Sequence, residues 1–205
     1  MRVPFLPLVL VLLGGCSTAP ERPLSPNGFL GRELDQPLPK PALPFVDSRG
    51  GPYDLIDATD GKVTLLFFGY TNCPDICPVH LANIAAVLKR MPDAIQREVR
   101  VVFITADPAR DTLARLGPWV RGFHRDFVGV TGEQWAIDSA QRLLGLVPAV
   151  LDTVSRGRED YLVGHAGQVI AFTRDGMARV QYPFGTRQRD WAEDLPRLIA
   201  WPEAP

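Results

Sequence analysis

Residues Lys62-Val63-Thr64-Leu65-Leu66-Phe67-Phe68-Gly69 form an unbroken run rich in branched and aromatic side chains, closely followed by Cys73-Pro74-Asp75-Ile76-Cys77-Pro78. A run apolar at both odd and even positions has no solvent face. It predicts a strand buried on both sides, the kind found in parallel sheets covered by helices. Beyond the cysteines, Leu81, Ile84, Ala85, Leu88 and Met91 recur at helical spacing and stop before Pro92, as a helix does. Two cysteines therefore sit in the loop between a buried strand and its helix, at the strand end where α/β sheets carry their sites.

The remaining elements follow the same rules. Phe45-Val46-Asp47 and Tyr53-Asp54-Leu55 flank the turn Ser48-Arg49-Gly50-Gly51, an N-terminal hairpin. Val99–Thr105 reads as a second buried strand, Asp111-Thr112 opens a helix with Leu113, Leu116 and Val120 inward, residues 127–130 are a short strand, and residues 132–144 a helix. Strands at 161–164, 168–173 and 178–182, a turn at Asp175-Gly176 and a closing helix at 187–200 complete the order. Parallel βαβ units followed by an antiparallel hairpin predict an α/β protein with a mixed central sheet flanked by helices, a thioredoxin-like fold. Trp119, Trp135, Trp191 and Trp201 are expected in the core or in helix packing.

Composition narrows the function classes. With 22 Lys+Arg against 23 Asp+Glu and a formal charge of -1 over 205 residues, the chain lacks the clustered positive excess that nucleic acid or an anionic membrane surface demands. Ordinary hydrophobic and charged fractions, 46% and 22%, argue against a largely disordered or polytopic chain.

The N-terminus predicts a compartment. Met1-Arg2, an apolar stretch at 3–13 broken by Pro4 and Pro7, and Leu13-Gly14-Gly15-Cys16 read as a secretory signal at 1–15, too short to span a bilayer. Leu13 to Cys16 resembles the lipobox of bacterial lipoproteins, which implies lipidation of Cys16 and an extracytoplasmic, membrane-anchored protein facing the periplasm. Residues 16–44, with Pro20, Pro23, Pro26, Pro37, Pro39, Pro41 and Pro44, read as a semi-extended tether. The folded domain is expected at 45–205.

With Cys16 assigned to the anchor, Cys73 and Cys77 are the remaining thiols. A disulfide between them closes too small a loop to add much stability, so chemistry is the better explanation. Each precedes a proline and is pushed toward extended backbone. Pro78 suits the first helical position, which would put Cys77 at the N-cap with its sulfur at the positive end of the helix dipole, where thiolates are stabilised. Such a pair suits disulfide exchange, a thiophilic metal, or, less well, peroxide reduction. Three residues between the cysteines rather than two favour sulfurs gathered around a metal while permitting a disulfide. Two thiolates with an imidazole suit Cu(I) or zinc. His80 lies in the first helical turn, His124 reads as a solvated loop residue, and His165 ends an apolar strand. Spacing does not choose among them.

Three motifs in order, residues 61–78 with the cysteine loop, Thr105-Ala106-Asp107-Pro108-Ala109-Arg110-Asp111-Thr112, and Tyr161-Leu162-Val163-Gly164-His165, resemble the Sco/SenC family over roughly residues 45–200. The resemblance implies a thioredoxin-like fold and one copper per chain, Cu(I) or Cu(II), held by Cys73, Cys77 and His165. It also implies a metallochaperone that delivers copper to the dinuclear site of cytochrome c oxidase subunit II, or prepares its thiols. Other periplasmic copper chaperones or thiol reductases are the further partners it implies. The alternative is a thiol-disulfide oxidoreductase using Cys73 and Cys77, which needs no His165.

This chain departs from the family at four places. Gly164 and Ala166 stand where Asp and Ser or Thr usually flank the histidine, which removes a carboxylate that would orient the imidazole. Asn72 replaces a commoner His, and His80 is an additional imidazole. His80 is expected at the surface, with an auxiliary-ligand role as the alternative. Asp107 is expected to cap the turn after its strand or to shape the site. The long loop at 146–160 leads straight to His165, either as a hinge or as a solvated excursion.

Overall fold

A computed structural model describes residues 25–152 and 161–201. The expected signal at 1–15, Cys16, tether residues 17–24 and loop residues 153–160 lie outside the described residues.

The centre of the protein is β4 (Val63–Gly69), all seven residues of which are buried. Strand periodicity sends alternate side chains to opposite faces. Val63, Leu65 and Phe67 enter one core with Leu81, Ile84, Phe103 and Trp191, and Leu66 and Phe68 enter another with Val102, Ile104, Ile137 and Phe172. The double-sided burial read from the sequence is thus one strand serving two cores.

From β4 the chain passes through α1 (Ile76–Leu88) and the short α2 (Asp93–Glu98) into β5 (Val99–Thr105), then through α3 (Leu113–Phe123) into β6 (Val128–Gly132). These three strands are parallel, and β4 and β5 pair in full register from Val63↔Val99 to Gly69↔Thr105. Their C-terminal ends lie side by side, so the loops at residues 70–75 and 106–112 leave the sheet together. The expected N-terminal hairpin forms, with β2 (Phe45–Asp47) pairing β3 (Pro52–Tyr53) and joining β6 antiparallel.

After α4 (Gln134–Leu143), β7 (Val150–Asp152) and β8 (Leu162–Gly164) form a separate two-stranded ribbon. Then β9 (Val169–Phe172) pairs antiparallel with β4, and β10 (Met177–Tyr182) pairs with β9 across a turn whose Gly176 has φ +78°. The closing helix is α5 (Gln188–Ile199), with Trp191, Leu195 and Leu198 buried. This is the mixed, helix-flanked sheet of a thioredoxin-like fold.

The tether expectation is corrected for residues 25–44. β1 (Arg32–Pro39) pairs antiparallel with β10 at the sheet edge. Proline is tolerated there because an edge strand needs hydrogen bonds on one side only, and the register slips between Glu33 and Leu38. Ahead of it Phe29, 1% exposed, stacks on Trp201 at 5.5 Å. The Leu30 and Gly31 N–H groups donate to the buried Asp194 carboxylate at 2.9 Å. Proline count masked an apolar anchor and a strand.

Trp135 is corrected as well: it is 57% exposed, whereas Ala136, Ile137 and Ala140 form the buried stripe of α4. No helix among the described residues is long and apolar enough to cross a membrane.

Candidate metal centre

The helix after the cysteine loop starts earlier than its prolines imply. α1 begins at Ile76 with Asp75 at the N-cap, so Cys77 is the second helical residue and Pro78 the third. Proline fits because first-turn N–H groups have no intrahelical acceptor. The loop turns on a Cys73 N–H to Tyr70 O bond of 3.1 Å, and the Cys77 N–H then donates to Cys73 Sγ at 3.4 Å. The Cys73 sulfur thus caps the helix.

That geometry corrects which thiol is activated. The Cys77 thiol and the backbone N–H groups of Cys77 and Asp75 donate to Cys73 Sγ, which lowers its pKa to about 4 against the desolvation that opposes ionisation. Burial, and then the neighbouring Cys73 sulfur, push Cys77 far up. Cys73 is 9% exposed and Cys77 0%. The pair shares one proton, held on the inner sulfur. In the reduced, metal-free protein, Cys73 is therefore expected to alkylate with iodoacetamide at a rate nearly constant from about pH 6 to 8, with Cys77 unreactive. A rate rising tenfold per pH unit, as for a free thiol, would show the thiolate is not formed; peptide mass mapping assigns the residue.

Of the three histidines, only His165 meets the sulfurs. Its Nε2 lies 3.4 Å from Cys77 Sγ and 3.9 Å from Cys73 Sγ, and the three donor atoms lie within 4.8 Å of one another. Bonds of about 2.3 Å to sulfur and 2.0 Å to nitrogen, opened to trigonal or tetrahedral angles, place such donors roughly 3.5–4.0 Å apart. The observed separations match a site for one ion. His165 Nδ1 lies 3.1 Å from Ala166 O. A carbonyl only accepts, so Nδ1 carries a hydrogen; in the neutral ring this leaves the Nε2 lone pair facing the sulfurs, as a ligating imidazole requires. Ala166 O thus serves as a main-chain acceptor for the ring. Phe67 and Tyr70 stand edge-on to the ring at 5.9 and 5.7 Å.

The other histidines lie elsewhere. His80 is 2% exposed, not superficial as expected, and its Nε2 bonds Gly167 O at 3.0 Å; burial holds its pKa below the ordinary value. His124 follows α3, stacks on Phe127 at 5.2 Å, and has a side chain only 10% exposed rather than solvated.

Two acids behind the site carry more than the sequence revealed. Asp111 reads as part of a helix start, yet its carboxylate is 1% exposed and accepts from the Thr71 N–H at 2.9 Å, Thr71 Oγ1 at 2.5 Å and Thr105 Oγ1 at 2.7 Å. It ties the cysteine loop to the end of β5. Asp107, 2% exposed, accepts from Tyr161 OH at 2.7 Å and pairs with Arg110, whose guanidinium lies 3.5 Å from the Tyr161 ring centroid. It therefore joins the β5 loop to the β8 ribbon, as well as bonding its own turn. The sequence holds Thr105, Asp107, Asp111 and Thr112 within one short stretch, but it does not show their reach across the chain. Within the long loop Val150–Asp152 fold as β7 against β8, with Gln141 Oε1 accepting from the Ala149 N–H at 3.2 Å.

A match to the SCO1/SenC family spans residues 41–200. A Stutzerimonas stutzeri protein named for copper binding is 33% identical over 174 residues, covering 83% of each chain. The solution structure of apo Sco1 from Thermus thermophilus superposes with a TM-score of 0.71 at 30% identity, covering 83% of this chain and 97% of that one. Copper-bound ScoI from Bradyrhizobium japonicum gives 0.67 at 28% identity, with 82% and 99% covered.

Proposed function

The chain belongs to the SCO1/SenC family, and from that premise we propose that it binds one copper ion through Cys73, Cys77 and His165 and serves cytochrome c oxidase assembly. The observation that carries this reading is the convergence of two sulfurs and an imidazole nitrogen across 88 and 92 residues of chain. Soft thiolates with one imidazole favour copper, and three donors leave a coordination position open. The proposed recipient is subunit II of the oxidase, reached from a membrane anchor at Cys16 on the periplasmic side.

Transfer follows from unequal burial. Cys77 is enclosed, while Cys73 and His165 lie toward solvent. An incoming recipient thiolate adds on the outer side and displaces Cys73 first, and the copper then leaves Cys77. Accessory chaperones or thiol reductases of the periplasm would supply the ion and keep the pair reduced.

The asymmetric thiols favour a second use of the same pair. Cys73 thiolate attacks a recipient disulfide, forming a mixed disulfide and releasing one recipient thiolate; Cys77 then displaces the second, leaving a Cys73–Cys77 disulfide and a reduced recipient.

An anaerobic titration of the reduced protein tests the metal reading. Sulfur-to-copper charge-transfer absorption is expected to rise to one equivalent and stop, and to disappear in Cys73→Ser. Absorption that never saturates, or that survives in Cys73→Ser, would sink it.

A further inference from the structure

His80 lies one turn after Cys77 on α1, buried at 2% exposure. Its ring sits between Phe67, at 5.2 Å, and Phe184, at 5.5 Å. Its Nε2 is 3.0 Å from Gly167 O, and because a carbonyl only accepts, the Nε2–H donates. That nitrogen is committed, and His80 is not among the donors that converge on the candidate site. The auxiliary-ligand alternative is thereby set aside.

What His80 holds is the segment that carries His165. Residues 165–168 join β8 to β9 and have no strand partner. Among the described residues, and the two cysteine sulfurs aside, the His80 imidazole is the one side chain outside the segment that hydrogen-bonds to it; the remaining bond, His165 Nδ1 to Ala166 O, is internal. The Gly167 backbone rests between Ile76 and Phe184: a Cβ there would meet their side chains at 3.7 and 4.0 Å. Gly167 and Gln168 also line a cavity of about 290 Å³, together with Arg32, Gln181, Pro183 and Phe184. Beside that open space, the His80 imidazole ties the segment's backbone to α1.

We propose that His80 is a positioning residue for His165, clamping the 165–168 segment to α1 so that one rigid helix sets both the Cys77 sulfur and the His165 imidazole. The inference rests on the copper reading above. It supplies the restraint that Gly164 takes away: the imidazole is oriented by a bond to the backbone beyond it rather than by a carboxylate before it. Outer partners of metal ligands are worth about 10- to 100-fold in metal affinity.

The test compares wild type, His80→Phe, His80→Gln and His165→Ala, each loaded with copper against a competing chelator. Phenylalanine keeps a ring between Phe67 and Phe184 but donates nothing; glutamine offers an amide N–H near the position of Nε2. His80→Phe is expected to bind about 10- to 100-fold more weakly with a shifted charge-transfer band, and His80→Gln to recover affinity to within about threefold along with the wild-type band. Wild-type affinity and band in His80→Phe overturn the proposal, as does an equal loss in both His80 variants with the band unshifted, which marks a purely structural role. Copper binding indifferent to His165→Ala overturns the ligand assignment itself, a separate failure. Should His80→Phe not fold, imidazole ¹⁵N shifts of the metal-free wild type decide: a hydrogen on His80 Nε2 supports the clamp, and one on Nδ1 alone overturns it.

Discussion

His165→Ala is expected to weaken copper binding about 100-fold or more. Losing a direct ligand must exceed the 10- to 100-fold typical of losing an outer partner, and the two remaining sulfurs cannot close a three-donor shell. The fold should survive, because apart from the two cysteine sulfurs the imidazole bonds Ala166 O, one residue away, and makes ring contacts to Phe67 and Tyr70. Chelator competition reads the affinity and far-UV circular dichroism the fold. A change of less than about threefold would remove His165 from the ligand set. The thiol-disulfide reading makes the opposite forecast, since Cys73 and Cys77 exchange with a disulfide whether or not the imidazole is present.

Asp111→Ala should cost about 3–5 kcal/mol, the upper range for single substitutions. Three donors, the Thr71 N–H and both threonine hydroxyls, point at one carboxylate that is 1% exposed. Hydrogen bonds to a charged group contribute about 1.5–3 kcal/mol each, and a buried donor left without an acceptor costs about 1–3 kcal/mol. These contributions are not additive, so the expected total stays well below their sum. For a chain of this size the midpoint would fall by roughly 6–20 °C. Asp111→Asn, which keeps the shape and one acceptor oxygen, should lose less. Thermal and urea unfolding check both; a loss under about 1 kcal/mol would mean that solvent enters and satisfies the threonines. Copper affinity should fall too, because Thr71 lies two residues before Cys73.

Legibility in the sequence followed the range of the interactions involved. β4 was readable because seven consecutive buried residues leave no other solution, and β5 ran from Val99 to Thr105 as read. The cysteine loop was readable because strand, loop and helix are contiguous. The start of α1 was displaced by two residues, since Pro78 is as acceptable at the third helical position as at the first. That displacement carried the thiolate from Cys77 to Cys73, which is a matter of which sulfur receives the N–H groups. His165 could be named by family resemblance only, since no spacing rule spans the residues separating it from Cys73. The bonds of His80 and Asp111 are set by topology over 87 and 40 residues. A local reading sees a histidine in a first turn and an acid before a helix. The strand at 32–39 was missed for the reverse reason: its prolines dominate its composition, and only a partner as distant as β10 shows that they are compatible with a sheet.

Those prolines have a further effect. The eight-stranded sheet ends in β1 on one side and β3 on the other, and both terminal strands contain proline, Pro37 and Pro39 in the first and Pro52 in the second. β3 is only two residues long, and β1 breaks its register midway. An approaching chain finds no continuous row of backbone donors at either margin, and such rows are what recruit strands into aggregates. The two borders of the sheet thus offer a second copy of the chain little backbone to pair with, and the sulfurs and imidazole lie away from both, at the ends of the central strands.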